Sequence, residues 1–224
     1  MPNYVKNEIE FKNPDKAIAI FGDGFDFNKI IEKPKTLDII SGSPTEDAIY
    51  LWNCEHHDDK IGKPLGYSRE QSLVWYPDSE ATIPVEDYYT KQATPKTLGD
   101  LRVFAQLIHD NYKNYGYTDW YSWCNARWGT KWNACDVYWG GCAVYFETAW
   151  SGVPELLNTM AQKFGLEFTY RYADEDIGSN VGSYETEVNE LGEIWLQELI
   201  VEDEEALACE LWGIDPEELD YDED

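Results

Sequence analysis

Between Ala173 and Asp224 the sequence contains no lysine and no arginine, while the same stretch holds 20 of the 44 acidic residues. The preceding 172 residues carry the other 24 acids and all 17 bases, a balance of −7, against −27 for the whole chain. A chain so charged repels nucleic acid and anionic lipid and is drawn to basic surfaces. Other absences narrow the reading. No apolar run approaches the length of a membrane span. The opening Met1 to Phe11 lacks the charged-then-apolar pattern of a signal peptide. The five cysteines form no Cys-x-x-Cys pair, so reduced thiols in a host-cell cytoplasm are expected rather than a disulfide framework.

Catalytic signatures are also missing. There is no Gly-x-Ser-x-Gly and no His-Glu-x-x-His, and the three histidines leave few candidates for a general base. Gly22-Asp23-Gly24 sits between a helix and a strand, whereas a phosphate loop follows a strand and opens a helix. Cys54, His56, His57 and Asp58 include zinc-ligand types, but no second Cys/His pair follows at finger spacing. This segment reads as a helix terminus, where His suits the negative end of the dipole. Cys124, Cys135 and Cys142 read as small buried side chains. No cofactor, no metal and no catalytic residue is expected.

Aromatic area is abundant. Asn125 to Trp150 carries four of the ten tryptophans, with Tyr138, Tyr145 and Phe146 among them. Buried rings remove large apolar surfaces from water, so the core is placed here. Val144 to Trp150 reads as a buried strand, and Trp128-Gly129-Thr130-Lys131-Trp132 as a Gly-centred turn. Trp128, Lys131 and Trp132 form a candidate ligand platform, with Lys131 near an aromatic face; the plainer reading has the tryptophans plugging the core.

Along the chain, Val5–Phe11 reads as a strand, Asp15–Phe21 as a helix opened by Asn13-Pro14, and Phe25–Ile31 as a second strand. Residues 36–119 read as a mostly helical insertion. It holds a helix from Ser43 to about Cys54, a strand near Ser72–Tyr76, and a long helix from Thr94-Pro95 to Gly116 with Leu98, Leu101, Ala105, Ile108 and Tyr112 on one face. Thr118-Asp119 caps a short helix. After Trp150 come a helix from Pro154 to Phe164, a strand from Leu166 to Tyr172, a hairpin of Ser183–Val188 with Glu193–Ile200, and an acidic helix from Asp203 to Trp212. Asp215-Pro216-Glu217-Glu218 signals one more turn. Without the insertion the order is strand, helix, strand, strand, helix, strand. That predicts an α+β protein with a ferredoxin-like split βαβ antiparallel sheet. The expected core is 1–35 with 120–200, and 201–224 form an acidic helix and tail.

At several of these pieces the sequence resembles the YubB-type ferredoxin-like family of phage and plasmid proteins: Met1 to Asn7, Phe25 to Ile31 with Pro34, Trp128 to Ala134, and Phe146 to Trp150 with Pro154. The resemblance implies the fold and a mobile-element setting, and supplies no catalytic site.

The acidic segment is the leading functional candidate. Duplex DNA presents one negative charge per about 1.7 Å of axis, and a folded array of carboxylates can imitate it in a basic groove. The expected partner-binding residues are Asp174, Glu175, Asp176, Glu185, Glu187, Glu202, Asp203, Glu204, Glu205, Glu217 and Glu218. The expected partner is a basic nucleic-acid-binding protein of the host, a nuclease or CRISPR effector, with no direct contact to nucleic acid or membrane. The chain would then be an anti-restriction or anti-CRISPR inhibitor of the DNA-mimic kind. The alternative is a small-ligand or nucleotide-acting enzyme using the aromatic turn as its pocket.

Overall fold

The computed structural model describes residues 3–62 and 73–219, which divide into two compact units, 1–32 with 124–224 and 33–123. The first unit is built on strand β1 (Tyr4–Phe11), helix α1 (Pro14–Phe21), and, after the second unit, β2 (Cys135–Gly140), β3 (Ala143–Ala149), α6 (Pro154–Phe164), β4 (Phe168–Asp174), β5 (Gly182–Val188), β6 (Ile194–Leu199) and α7 (Glu204–Trp212). The strands form one sheet in the order β2-β3-β1-β4-β5-β6, every neighbouring pair antiparallel. Its first four strands with α1 and α6 are the ferredoxin-like arrangement that the order of elements predicts.

One element differs from the expectation. Phe25–Ile31 is not a strand but a short 3-10 turn at Phe27–Lys29. The alternation of Phe25, Asp26 and Phe27 imitates a strand, yet the Asp26 carboxylate accepts the Asn28 N–H at 2.9 Å and the Asn133 side-chain amide at 2.7 Å. Asx side chains offer the backbone such local bonds in place of a ladder. Phe25, Phe27 and Ile30 are all buried, and Phe25 stacks on Phe146 at 4.9 Å. The segment therefore fills the core without joining the sheet. The second strand of the fold is β2 instead, and it meets β3 through a tight turn at Gly141, whose φ is 63°.

The two faces of the sheet separate by residue parity. Val5, Ile9, Phe146, Phe168 and Tyr170 are buried on one face, with Leu156, Leu157 and Met160 of α6. Asn7 also lies on this face. Its amide donates to Thr148 Oγ1 at 2.9 Å and its carbonyl oxygen accepts from the Tyr170 hydroxyl at 2.6 Å. Tyr170 in turn accepts the Val153 N–H at 2.8 Å, so this buried polar set is closed.

The second unit contains α2 (Ser43–Glu55), α3 (Val85–Thr90), α4 (Leu98–Tyr115) and the start of α5 (Trp120–Arg127). Helix α4 begins at Leu98 rather than near Pro95, because Thr97 caps it in a capping box with Asp100. The Asp100 carboxylate is buried and accepts the backbone N–H groups of Thr82, Ile83, Lys96 and Thr97 at 2.6–3.1 Å. Burial alone would raise its pKa, but these bonds hold it below the usual range. Leu101, Ala105 and Ile108 are buried as the stripe predicts. His56 follows the end of α2 and stacks on Trp52 at 3.8 Å. Of the strand expected at Ser72–Tyr76, Ser72 lies outside the described residues, and Tyr76 N–H donates to the Leu73 carbonyl in a turn.

Candidate functional site

The second face of the sheet is charged. It carries Lys6, Glu8 and Glu10 of β1, Glu147 and Tyr145 of β3, Arg171 of β4, and Glu185 and Glu187 of β5, as the strand register places them. Helix α7 lies over β1 and β4 on this side. Three contacts tie it down. Arg171 bridges Glu8 at 2.8 Å and Glu210 at 3.0 Å; the Trp212 indole N–H donates to the Ala173 carbonyl at 3.2 Å; and Lys6 Nζ sits 4.6 Å from the Trp212 ring centroid. Burial alone would lower the Arg171 pKa, but Glu8 and Glu210 raise it. The helix is opened by Asp203, which accepts the Ala206 N–H at 2.9 Å, and closed by Gly213 at φ 68°. Glu204 and Glu205 in its first turn suit the positive end of the helix dipole.

The expected carboxylates thus divide. Glu185, Glu187, Glu204 and Glu205 fall on one side of the sheet, with Glu202 and Asp203 leading into α7. Glu187, Glu202 and Glu204 are exposed, and Glu185 lies 3.7 Å from Lys12. Asp174 is a correction. It is buried, and it accepts from the Asn3 amide at 3.1 Å and the Asp176 N–H at 3.0 Å. Its carboxylate is spent holding the loop after β4 and offers no surface. Glu175 and Asp176 lie in that loop, where Asp176 accepts from the Ser179 hydroxyl at 3.2 Å. Glu217 is exposed in the 3-10 turn Pro216–Glu218, opened by Asp215; of Glu218 only the backbone is described.

The aromatic turn needs a second correction. Trp128 is buried, packs against Phe27 at 5.8 Å and donates its indole N–H to the Ile31 carbonyl at 2.9 Å. It contributes to the core and cannot form part of a platform. Thr130, also buried, ties the turn to the end of β3 through Ala149. What stays at the surface is Lys131, 5.0 Å from the ring centroids of both Trp132 and Trp150.

A cluster that sequence reading treats as ordinary lies on the charged face. The ligand atoms of Cys135, Asp136 and Glu147 all lie within 4.8 Å of one another. In a regular strand, residues 135 and 136 would point to opposite faces. The register shifts between Cys135 and Tyr138, and Asp136 takes φ 47°. Such a bulge re-aims a side chain. Burial and the charge of Asp136 raise the Glu147 pKa above its usual value, and burial with the same carboxylates raises that of the Cys135 thiol. A non-alternating Cys-Asp pair opposite Glu147 is visible in the sequence only once the bulge is known.

Among the described residues no helix is long and apolar enough to cross a membrane. No curated protein matches the chain. Among solved structures, it is similar to the crystal structure of a protein api92 from Yersinia pseudotuberculosis, at 11% identity and a TM-score of 0.39, covering 91% of this chain and 100% of that one. Residues 127–215, from the aromatic turn through the acidic hairpin and α7, match the family model described as a ferredoxin-like domain in Api92-like protein.

Proposed function

We propose that this protein is a non-catalytic accessory protein of a phage or plasmid, of the YubB-type setting, that binds a basic nucleic-acid-binding protein of the host and occludes its nucleic-acid channel. The target class is a nuclease or CRISPR effector, and the role is anti-restriction or anti-CRISPR. One observation carries the reading. The base-free segment after Ala173 is folded for most of its length, so Glu185 and Glu187 are presented from a hairpin strand and Glu204 from a capped helix over the same face of the sheet, with the exposed Glu202 just ahead of the cap. A rigid array loses less conformational entropy on binding than a loose tail. Carboxylates facing Lys and Arg form charge-assisted bonds, and they steer encounter in a salt-dependent way. The alternative, a small-ligand or nucleotide-acting enzyme, would use the aromatic turn, where Lys131 lies beside Trp132 and Trp150 while Trp128 is in the core.

The test is capture from host lysate at low and high salt, with the wild type and with a variant carrying Glu185→Gln, Glu187→Gln, Glu202→Gln and Glu204→Gln. The expected result is a basic nuclease retained at low salt, released at high salt, and bound at least ~10-fold more weakly by the variant. No basic partner at low salt, or equal capture by the variant, removes the reading.

A further inference from the structure

On the charged face, a cavity of about 170 Å³ opens between β1, β2, β3 and the end of α7, lined by Lys6, Asp136, Tyr138, Tyr145, Glu147 and Leu211 among others. At about 30 Å³ per water in the liquid, it has room for a small planar group and part of an aliphatic stem. Its charge is unbalanced. Asp136 and Glu147 bring carboxylate oxygens within 4.8 Å, against the single amine of Lys6, which the Trp212 ring engages at 4.6 Å. The cavity also has an aromatic wall. Tyr138 stacks on Tyr145 with ring centroids 4.7 Å apart and planes 10° apart, and both line it. Tyr138 is 60% exposed. Leu211 adds apolar surface.

We propose that this cavity binds a guanidinium group, the arginine side chain of a basic partner. Glu147 and Asp136 accept its N–H groups, the stacked Tyr138 and Tyr145 rings flank it, and Leu211 packs its methylenes. A guanidinium fits this set better than an ammonium does. It is planar, less strongly hydrated, donates in a fork that matches a carboxylate, and stacks on aromatic rings. Arginines seated in pockets are frequent anchors of protein interfaces. The site rests on the proposed function for the source of the arginine, but its chemistry can be measured without any partner.

The experiment titrates N-acetyl-arginine amide into the full chain at low salt, followed by NMR shifts, with N-acetyl-lysine amide and ZnCl₂ in parallel. The expected result is saturable arginine binding with a Kd on the order of 1 mM, and lysine binding at least ~10-fold weaker. Glu147→Gln should weaken arginine binding ~10-fold or more, and Tyr138→Leu about 3-fold or more. Should Glu147→Gln fail to fold, Tyr138→Leu and Asp136→Asn carry the test, since both side chains are at the surface. No saturable shift, or equal affinity in the folded variants, overturns the site. So does Zn²⁺ binding that requires Cys135 with no saturable arginine shift beside it. Lysate capture without probe binding breaks the site alone; probe binding without salt-sensitive capture breaks the proposed function alone.

Discussion

On the face that α1 and α6 cover, the sheet buries Val5, Ile9, Phe146, Phe168 and Tyr170, and its polar groups close on one another through Asn7, Thr148 and Tyr170. On the face that α7 partly covers, it displays Lys6, Glu8, Glu147, Arg171 and Glu185, and its bonds are ion pairs, exposed between Lys12 and Glu185 and partly shielded between Arg171 and Glu8. Each fully buried large apolar side chain stabilises the fold by roughly 1.5–3 kcal/mol. An exposed ion pair contributes roughly 0–1 kcal/mol. The difference teaches where stability resides. The aromatic face can hold the fold with little help from the charged one.

The sharpest way to break that comparison is to overfill the aromatic face. Tyr172 packs over Gly152 and Gly182. A Cβ at Gly152 would lie 2.5 Å from the Tyr172 ring and 2.7 Å from the Tyr170 hydroxyl. Tyr170 is fully buried, so it has no room to yield. Gly152→Val should therefore cost about 3 kcal/mol or more in chemical denaturation, the upper end for overpacked cores. A loss below about 1 kcal/mol would mean that the aromatic face is looser than its packing shows.

A milder probe deletes one oxygen. Tyr170→Phe leaves the Asn7 carbonyl oxygen and the Val153 N–H without the partner they have at 2.6 and 2.8 Å. Two buried groups then lack a bond, at roughly 1–3 kcal/mol each when no water replaces the hydroxyl. A loss of about 2 kcal/mol is expected, read by urea unfolding. Burial pushes the Tyr170 phenol well above its usual pKa, so the hydroxyl keeps its proton and its donor role at every ordinary pH. An unchanged midpoint would show that the polar set is incidental to the face that contains it.

How much of this was legible follows from how local each signal is. Helices announce their ends. Asn13-Pro14, Gly116, Gly165, Asp203 and Gly213 each do in the structure what their chemistry suggests, whereas the long helix expected to open at Thr94-Pro95 is capped by Thr97 instead. The strands β1, β3, β4, β5 and β6 follow from alternation or from β-branched and aromatic runs. Phe25–Ile31 misleads because alternation of large residues is also what a core-filling turn shows. Strand β2 hides because Asp136 and Gly140 are poor strand formers and because a bulge breaks its period. Burial of a carboxylate is not local either. Asp174 and Glu175 are adjacent and chemically alike, yet only Asp174 meets Asn3 from the far end of the chain. Asn7 could have been flagged, since it has the inward parity of Val5 and Ile9 and must find partners there. The cavity at Glu147 could not, because it depends on the bulge and on where α7 lands.

The smallest expected effect is the most informative about function. Arg171 has 29% of its side chain exposed and is the one bridge from the sheet to both Glu8 and Glu210 among the described ion pairs. Arg171→Met keeps most of its apolar stem and removes the charge, leaving the two carboxylates to repel each other across the α7 contact. The other ties of α7, Trp212 and the buried Ala208 and Cys209, remain. The expected loss is about 1 kcal/mol, confined to α7. It should appear as roughly 5-fold faster amide exchange in α7, with β1 and β4 unchanged, because local opening follows local contacts. Added salt should shrink the difference between variant and wild type, since it screens the repulsion that the substitution exposes. If β1 and β4 exchange faster as well, the charged face is part of what holds the fold and the division between the faces fails. If only α7 loosens, the same variant should also bind a basic partner more weakly, because its carboxylates would have to be ordered at the moment of binding.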